Sequence, residues 1–574
     1  MRARSLSWHW ILIAASTLVY VPFLNRRLLP TAGDEKVYVE QALEMTERGT
    51  HFVQFLFGEP NYFKGPLHLL LIQIGQALFG LQLIALRYMN LPLVILAGLA
   101  VGATVHRHCL GPQRTRYALW AGLACVFSAG SLGHVLATQM EIELFACYAS
   151  ALWLLDRSDK SPAAEFGFWA VAGIAGWAKS PLHSVLIGAS LPLNAILRAG
   201  VQNDRQALLK LLRARSWLAL GCGVLISVAG YLPAIIHDWP HFYESYIVRE
   251  SLKKAGGNGG PHWQVWFPLF FYYLFPWQWT ALALYAQGIR RLLQWRTLLP
   301  ALRTEAAQPW LLIVATLAPT LVFFWFHPYR GENYTYPAQG SVILLLALIW
   351  NQNASSRMVR WSLWPTALQL LIPAVAFFWL TQGHSTDWIP HYGPELLLIL
   401  AALSAIACVK RPLAPETPLP AAVSILLLLC WAGERELTGI RHYLARTSDT
   451  PARFCYWNPQ KNIWNEAGYL SFTLGQRIQI CHELDIATKH LESGGTLIVR
   501  NPEEWQALEG QLRNHTSFKV SAETWTRWAR HGHLARREPS LWAEVRATGN
   551  WSALETSARL VTARKTLVTD RGFR

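Results

Sequence analysis

Apolar runs close to bilayer length recur about thirteen times in this chain, from residues 8–20 and 88–105 through to 395–408 and 421–432. At about twenty residues per crossing, the shorter runs need flanking residues to span. That recurrence dictates a mainly α, polytopic membrane protein. The composition agrees, since 52% of the 574 residues are hydrophobic, 15% are charged and 28 are Trp. The run at 8–20 has the length of a signal peptide. It lacks a small-residue cleavage site and is followed by Arg26 and Arg27, so it reads as the first anchor.

Basic residues resist translocation, and every second loop here is basic. Arg2 and Arg4 precede the first span, and the pattern returns around Arg107 and Arg114, Arg205 and Lys210, Arg290 and Arg291, and Lys410 and Arg411. These clusters mark the cytoplasmic side. An odd number of crossings then sets the loop 26–87 and the C-terminal tail outside. The net charge of +16 is this topology signal plus attraction to anionic membrane lipids, and it implies no nucleic-acid partner.

Two domains follow. A transmembrane part covers residues 1–433, with 26–87 as its first periplasmic loop, and a small α/β periplasmic domain covers 434–574. Within the loop, 34–48 suits a surface helix opened by a capping acid. Residues 66–79 are too short to cross comfortably and read as a second juxtamembrane helix, started by Pro66 and closed by Gly80. In the tail, 452–456, 477–481 and 496–499 read as strands, and 467–474, 485–491 and 503–512 as helices. Residues 540–574 show only a basic, weakly patterned stretch. Of eight cysteines, six lie in or beside predicted spans, where thiols are ordinary packing residues. Cys455 and Cys481 lie in the exported tail, where a disulfide is chemically allowed.

Chemistry is suggested by charge placed at the outer membrane surface. Asp34 opens the first polar stretch after the first span, and Tyr62-Phe63-Lys64-Gly65-Pro66 follows in the same loop. A carboxylate there can deprotonate a hydroxyl while a lysine holds a phosphate leaving group. Each residue also has a plainer reading: Asp34 as a helix cap, Lys64 as an interfacial lysine reaching to water. Glu141 and Glu143 begin a predicted span, where a carboxylate entering hydrocarbon is costly and is often paired or functional. Lys179 ends an apolar run on the same side. Four ionisable groups, Asp34, Lys64, Glu141 and Lys179, thus reach one membrane depth from three segments.

Other outer loops add candidates. Residues 237–262 hold Arg249, Glu250 and Lys254 before the run Gly256-Gly257-Asn258-Gly259-Gly260-Pro261, which can order over a substrate. The loop 327–334 brings Arg330 and Tyr334.

The string Asp34, Tyr38, Glu40 and Met45, followed by Tyr62-Phe63-Lys64-Gly65-Pro66-Leu67 and Leu78-Phe79-Gly80, resembles the first outer loop of the C-type lipid-dependent glycosyltransferases. The similarity is to the aminoarabinose lipid A transferases and their protein O-mannosyltransferase relatives. It extends to Glu141 with Leu144 and Phe145, to Lys179-Ser180-Pro181, to Arg249–Lys254 with Pro276-Trp277, and to Tyr334 with Pro337.

The resemblance implies that Asp34 is the catalytic carboxylate and that Glu141 stands where a second acid, usually aspartate, is found. It implies that Lys64 and Lys179 sit on the phosphate side and that Tyr334 contacts the donor. Tyr62, Tyr38, Arg330 and Lys254 join the substrate-binding set. The donor is then a polyprenyl-phosphate sugar and the acceptor a lipid or glycan.

This chain departs from the aminoarabinose branch at two matched places. The Glu before the motif lysine is absent from Tyr62-Phe63-Lys64, and the later loop reads Glu250-Ser251 without the branch's histidine. Those two residues can share a metal, so their joint loss argues against that site, and no cofactor is expected. A transporter or lipid flippase is the competing class. It would carry ionisable residues near span midpoints, whereas the charges here gather on one face.

Overall fold

A computed structural model describes residues 7–26, 33–62, 64–252, 265–293, 300, 303–304, 307–327, 332–353, 356–381, 392–410, 420–431, 453–461, 467–499, 502–515, 519–528 and 555–564. The chain forms two compact units. One comprises Met1–Leu24, Met45–Gln73 and Arg87–Leu428, and the other Asn25–Glu44, Ile74–Leu86 and Leu429–Arg574.

The first unit is helical. In chain order the leading helices are α1 (Trp8–Leu24), α2 (Gly33–Glu47) and α3 (Pro66–Phe79), both shared with the second unit, then α4 (Asn90–His108), α5 (Arg114–Phe127), α6 (Ala129–Val135), α7 (Glu141–Ser158), α8 (Pro162–Ala178) and α9 (Pro181–Gln202). Both α2 and α3 lie where the outer-loop helices were expected, and Gly80 closes α3 at a φ of 65°. Pro162 and Pro181 open α8 and α9 at positions where a missing N–H costs nothing, and the Ser161 hydroxyl caps α8 by accepting from Ala164 N at 3.3 Å.

Glycine lets some of these helices meet backbone to backbone. A β-carbon on Gly98 of α4 would lie 2.9 Å from the Gly122 carbonyl of α5. Four helices among the described residues are long and apolar enough to cross a membrane: Asn90–His108, Pro181–Gln202, Gln308–Phe326 and Arg357–Trp379. The number is six if the bent pairs Arg114–Phe127 with Ala129–Val135 and Arg205–Leu211 with Ala214–Ala229 each make one span.

Three of the runs expected to be continuous are broken: 117–132, 217–236 (between Ala229 and Leu232) and 263–284. The apolar stretch 117–132 bends by 50° at Ser128, which is extended. There Gln339 Nε2 donates to Ser128 Oγ at 2.8 Å, and Ala129 N donates to the Phe275 carbonyl at 3.0 Å, so tertiary bonds replace the helical ones. The stretch 263–284 is likewise interrupted before Gln278–Leu293. Pro276 has no N–H to give a helix, and the Phe275 carbonyl is taken by α6.

The second unit carries a five-stranded sheet. After the two-residue strands β1 (Phe55–Leu56) and β2 (Glu59–Pro60) of the first unit come β3 (Phe454–Trp457), β4 (Gln479–Cys481), β5 (Thr496–Val499), β6 (Lys519–Trp528) and β7 (Glu555–Arg564), ordered β4-β3-β5-β7-β6. β3 is parallel to both neighbours, while β7 runs antiparallel to β5 and β6.

Side chains alternate across a strand, so Phe454 and Tyr456 pack on one face with Ala467, Leu470 and Ile478. Cys455 and Trp457 pack on the other with Ala487, Leu491 and Leu508. Cys455 and Cys481 are joined in a disulfide that ties β3 to the edge strand β4. Within the basic stretch expected over 540–574, residues Glu555–Arg564 instead form an interior strand of this sheet.

Candidate active site

Ending one helix and beginning the next within three residues fixes Lys179. Ala178 ends α8, Pro181 begins α9, and the lysine between them cannot swing with either helix. Its Nζ donates to Glu141 Oε1 at 2.8 Å, from the first residue of α7, and both side chains are buried. On another side the same ammonium lies 4.4 Å from the centre of the Tyr334 ring, a cation–π contact. Tyr334 is held in turn by stacking on Phe324, with ring centres 5.3 Å apart. A buried cation thus has one carboxylate and one aromatic face around it.

The loop bearing Lys64 is tied to the same junction. Gly65 N donates to the Lys179 carbonyl at 3.1 Å, and Gln54 Nε2 donates to the Lys64 carbonyl at 2.8 Å. Gly65 has to be glycine, because a β-carbon would collide with the Trp177 main chain and lie 3.1 Å from the Tyr231 hydroxyl. Tyr62 anchors the other end of the loop. It is 1% exposed, packed with Tyr231, Phe242 and Tyr246, its ring edge-on to Phe242 at 5.4 Å. Burial, with the Asp238 carboxylate adding to it, pushes the Tyr62 hydroxyl up to about 12. It is therefore neutral at physiological pH. Arg249 reaches the same loop, donating to Asn61 Oδ1 at 3.3 Å.

One pairing escaped sequence reasoning. Glu143, one of the two acids opening α7, accepts from His68 Nδ1 at 2.7 Å, and both groups are buried. His68 lies two residues past Pro66, which places it on the first turn of α3. The signals were a histidine inside an apolar helix and an acid opening a predicted span, but nothing local linked the two across 75 positions. Tyr148 of α7 and His183 of α9 are joined similarly, 3.2 Å apart.

Asp34 and Tyr38 belong to the second unit. They stand one helical turn apart on α2, and the Tyr38 hydroxyl donates to Asp34 Oδ2 at 3.2 Å. Lys254, Arg330 and the glycine run 256–261 lie outside the described residues. Among the described residues, no three His, Cys, Asp or Glu side chains gather as they would around a metal ion.

No sequence-family profile matches the chain. A curated relative, the undecaprenyl phosphate-alpha-4-amino-4-deoxy-L-arabinose arabinosyl transferase of Serratia proteamaculans, is 25% identical over 353 residues. The match takes in 60% of this chain and spans 60% of that relative's length. Among solved structures, ArnT from Cupriavidus metallidurans in the apo state aligns with a TM-score of 0.62 at 17% identity, covering 96% of this chain and 97% of that one. The same protein bound to undecaprenyl phosphate gives 0.61 at 17%, covering 97% and 98%. Across nearly its whole length, therefore, the chain has the mainly helical membrane fold of the ArnT transferase.

Proposed function

We propose that this protein transfers a single sugar from undecaprenyl phosphate to an envelope acceptor at the periplasmic face of the bacterial inner membrane. Lipid A or another glycolipid is the first choice of acceptor, a surface polysaccharide the second and protein the third. The observation that carries the reading is the buried Lys179 ammonium between Glu141 and Tyr334, with the Lys64 loop bonded to its carbonyl. A preorganised cation whose carbonyl is bonded to the loop carrying a second lysine suits a phosphate leaving group.

In the proposed step the acceptor oxygen attacks the anomeric carbon, the bond from that carbon to the phosphate oxygen breaks, and undecaprenyl phosphate leaves with the electron pair. Asp34 takes the hydroxyl proton, and attack opposite the leaving group inverts the sugar. Lys64 and Lys179 receive the developing phosphate charge, while Glu141 holds Lys179 in place. Tyr334, Arg330 and Lys254 contact the donor, and Tyr38 and Tyr62 hold Asp34 and the Lys64 loop. No metal is required in this scheme, because the family's Glu and His ligands are both replaced here.

The layout proposed is about thirteen crossings over residues 1–433, with the N-terminus cytoplasmic and residues 434–574 as a periplasmic α/β domain. Many helices shorter than a full crossing gain length from flanking residues. The Cys455–Cys481 disulfide supports an oxidising location for that domain.

The test is turnover of purified protein in detergent, with undecaprenyl-phosphate sugars and lipid A, read by mass spectrometry as released undecaprenyl phosphate. Asp34→Asn is expected to lower turnover roughly 10²–10⁴-fold with donor binding retained. Unchanged turnover would remove Asp34 as the base.

A further inference from the structure

Two of the three stretches of sequence that build the second unit share an ion pair whose carboxylate is buried. Glu40, on α2, is 2% exposed as a residue. Arg477 grips it with both arms: Nη2 donates to Oε1 at 2.7 Å and Nη1 to Oε2 at 3.2 Å. This is the fork-on-carboxylate geometry that fixes orientation as well as distance. Arg477 is itself set by its surroundings. Its Nη1 also donates to the Ile478 carbonyl at 3.2 Å, and Ile478 N donates to the buried Ser471 hydroxyl at 2.9 Å.

A second contact fixes how close α2 comes. A β-carbon on Gly468, in the helix Ala467–Leu474, would lie 2.8 Å from Glu40 Oε2 and 3.0 Å from Glu40 N. A side chain at 468 would push on both the Glu40 carboxylate and the α2 main chain.

We propose that the C-terminal module is a positioning device for the catalytic carboxylate, acting through Arg477 and Gly468 on Glu40. The inference rests on the role of Asp34 proposed above. Successive helical residues turn by about 100°, so Glu40 sits roughly 120° around α2 from Asp34. A grip on Glu40 therefore sets the rotation of α2 about its axis without occupying the face that carries Asp34 and Tyr38. Release of the grip lets α2 turn and slide, and an angstrom of misplacement at a reacting centre is enough to cost rate. Arg477 and Gly468 touch no substrate in this scheme and act only by holding Asp34 where it works.

The experiment measures kcat and donor KM together with backbone amide exchange in α2, on the full-length protein in detergent. Arg477→Ala is expected to lower kcat roughly 10- to 100-fold while donor KM stays within about threefold, and to speed exchange over residues 34–44. Gly468→Ala should act the same way through sterics alone. Glu40→Gln/Arg477→Ala should be no slower than Arg477→Ala, because both changes break one grip. Arg477→Lys, which keeps charge but not the fork, should fall between.

Full kcat in Arg477→Ala while Asp34→Asn is inactive overturns the positioning proposal and leaves Asp34 standing. Turnover by Asp34→Asn overturns the reading of Asp34, and the positioning proposal falls with it. A parallel rise in donor KM, or additive losses in the double variant, would also overturn it.

Discussion

Burying an ammonium group costs several kcal/mol unless partners compensate, and Lys179 has a carboxylate at 2.8 Å and an aromatic face at 4.4 Å. Taking the lysine away leaves Glu141 charged in a dry place. Lys179→Met should therefore destabilise the protein by about 3–5 kcal/mol, seen as a lower thermal midpoint, and should abolish turnover. Lys179→Met/Glu141→Gln removes both charges. It is expected to recover most of the stability and none of the activity, which separates holding the fold from holding phosphate. Gly65→Ala tests the loop, and loss of turnover is expected because the β-carbon has nowhere to go beside Trp177. Lys179 and Glu141 were legible in the sequence because charges stand out at the ends of apolar runs. The pairing of Glu40, a residue of the first-loop string, with Arg477 was not, since nothing local links residues 437 positions apart.

Among elements, the strands β3, β4 and β5 and the helices between them fall close to where hydrophobic patterning puts them, as does α3 with its opening proline and closing glycine. Local chemistry determines such segments. β7 was missed for the opposite reason. Its ten residues alternate small, polar and apolar side chains too weakly to mark a strand, and they become one by pairing with β5 and β6. The breaks at Ser128 and before Gln278 have the same origin, because each depends on bonds to distant helices.

The disulfide gives this scale its prediction. It closes a loop between residues 26 apart in sequence, and the variant Cys455→Ser/Cys481→Ser should lose roughly 2–4 kcal/mol of local stability. Limited proteolysis of the intact protein should then cut within the C-terminal residues sooner than in the parent.

For the whole molecule, the proposed orientation puts residues of the C-terminal domain and of the basic loop near Arg205 on opposite sides of the membrane. With the exposed native Cys222 replaced by serine, Ser493→Cys should react with a membrane-impermeant thiol reagent on intact spheroplasts. Gln206→Cys, also exposed, should react only after the membrane is opened. Labelling of Gln206→Cys alone from outside would reverse the topology, and labelling of both would break it. Turnover is expected to survive strong chelators, because the two residues that share a metal in the aminoarabinose branch are both replaced; loss on chelation and return with a divalent cation would restore the metal.

The ion pair between Glu40 and Arg477 also has a history in time. The two residues are 437 positions apart, and at about 5–20 residues per second a ribosome needs roughly 20–90 seconds to get from one to the other. Throughout that interval the membrane helices between them are being inserted while α2 lacks the guanidinium that will hold it. A chain released after Lys179 but before Arg477 can lodge in the bilayer with both lysines of the proposed site made and still lack the grip on α2. On the proposed positioning role, full speed waits for the last hundred residues of synthesis.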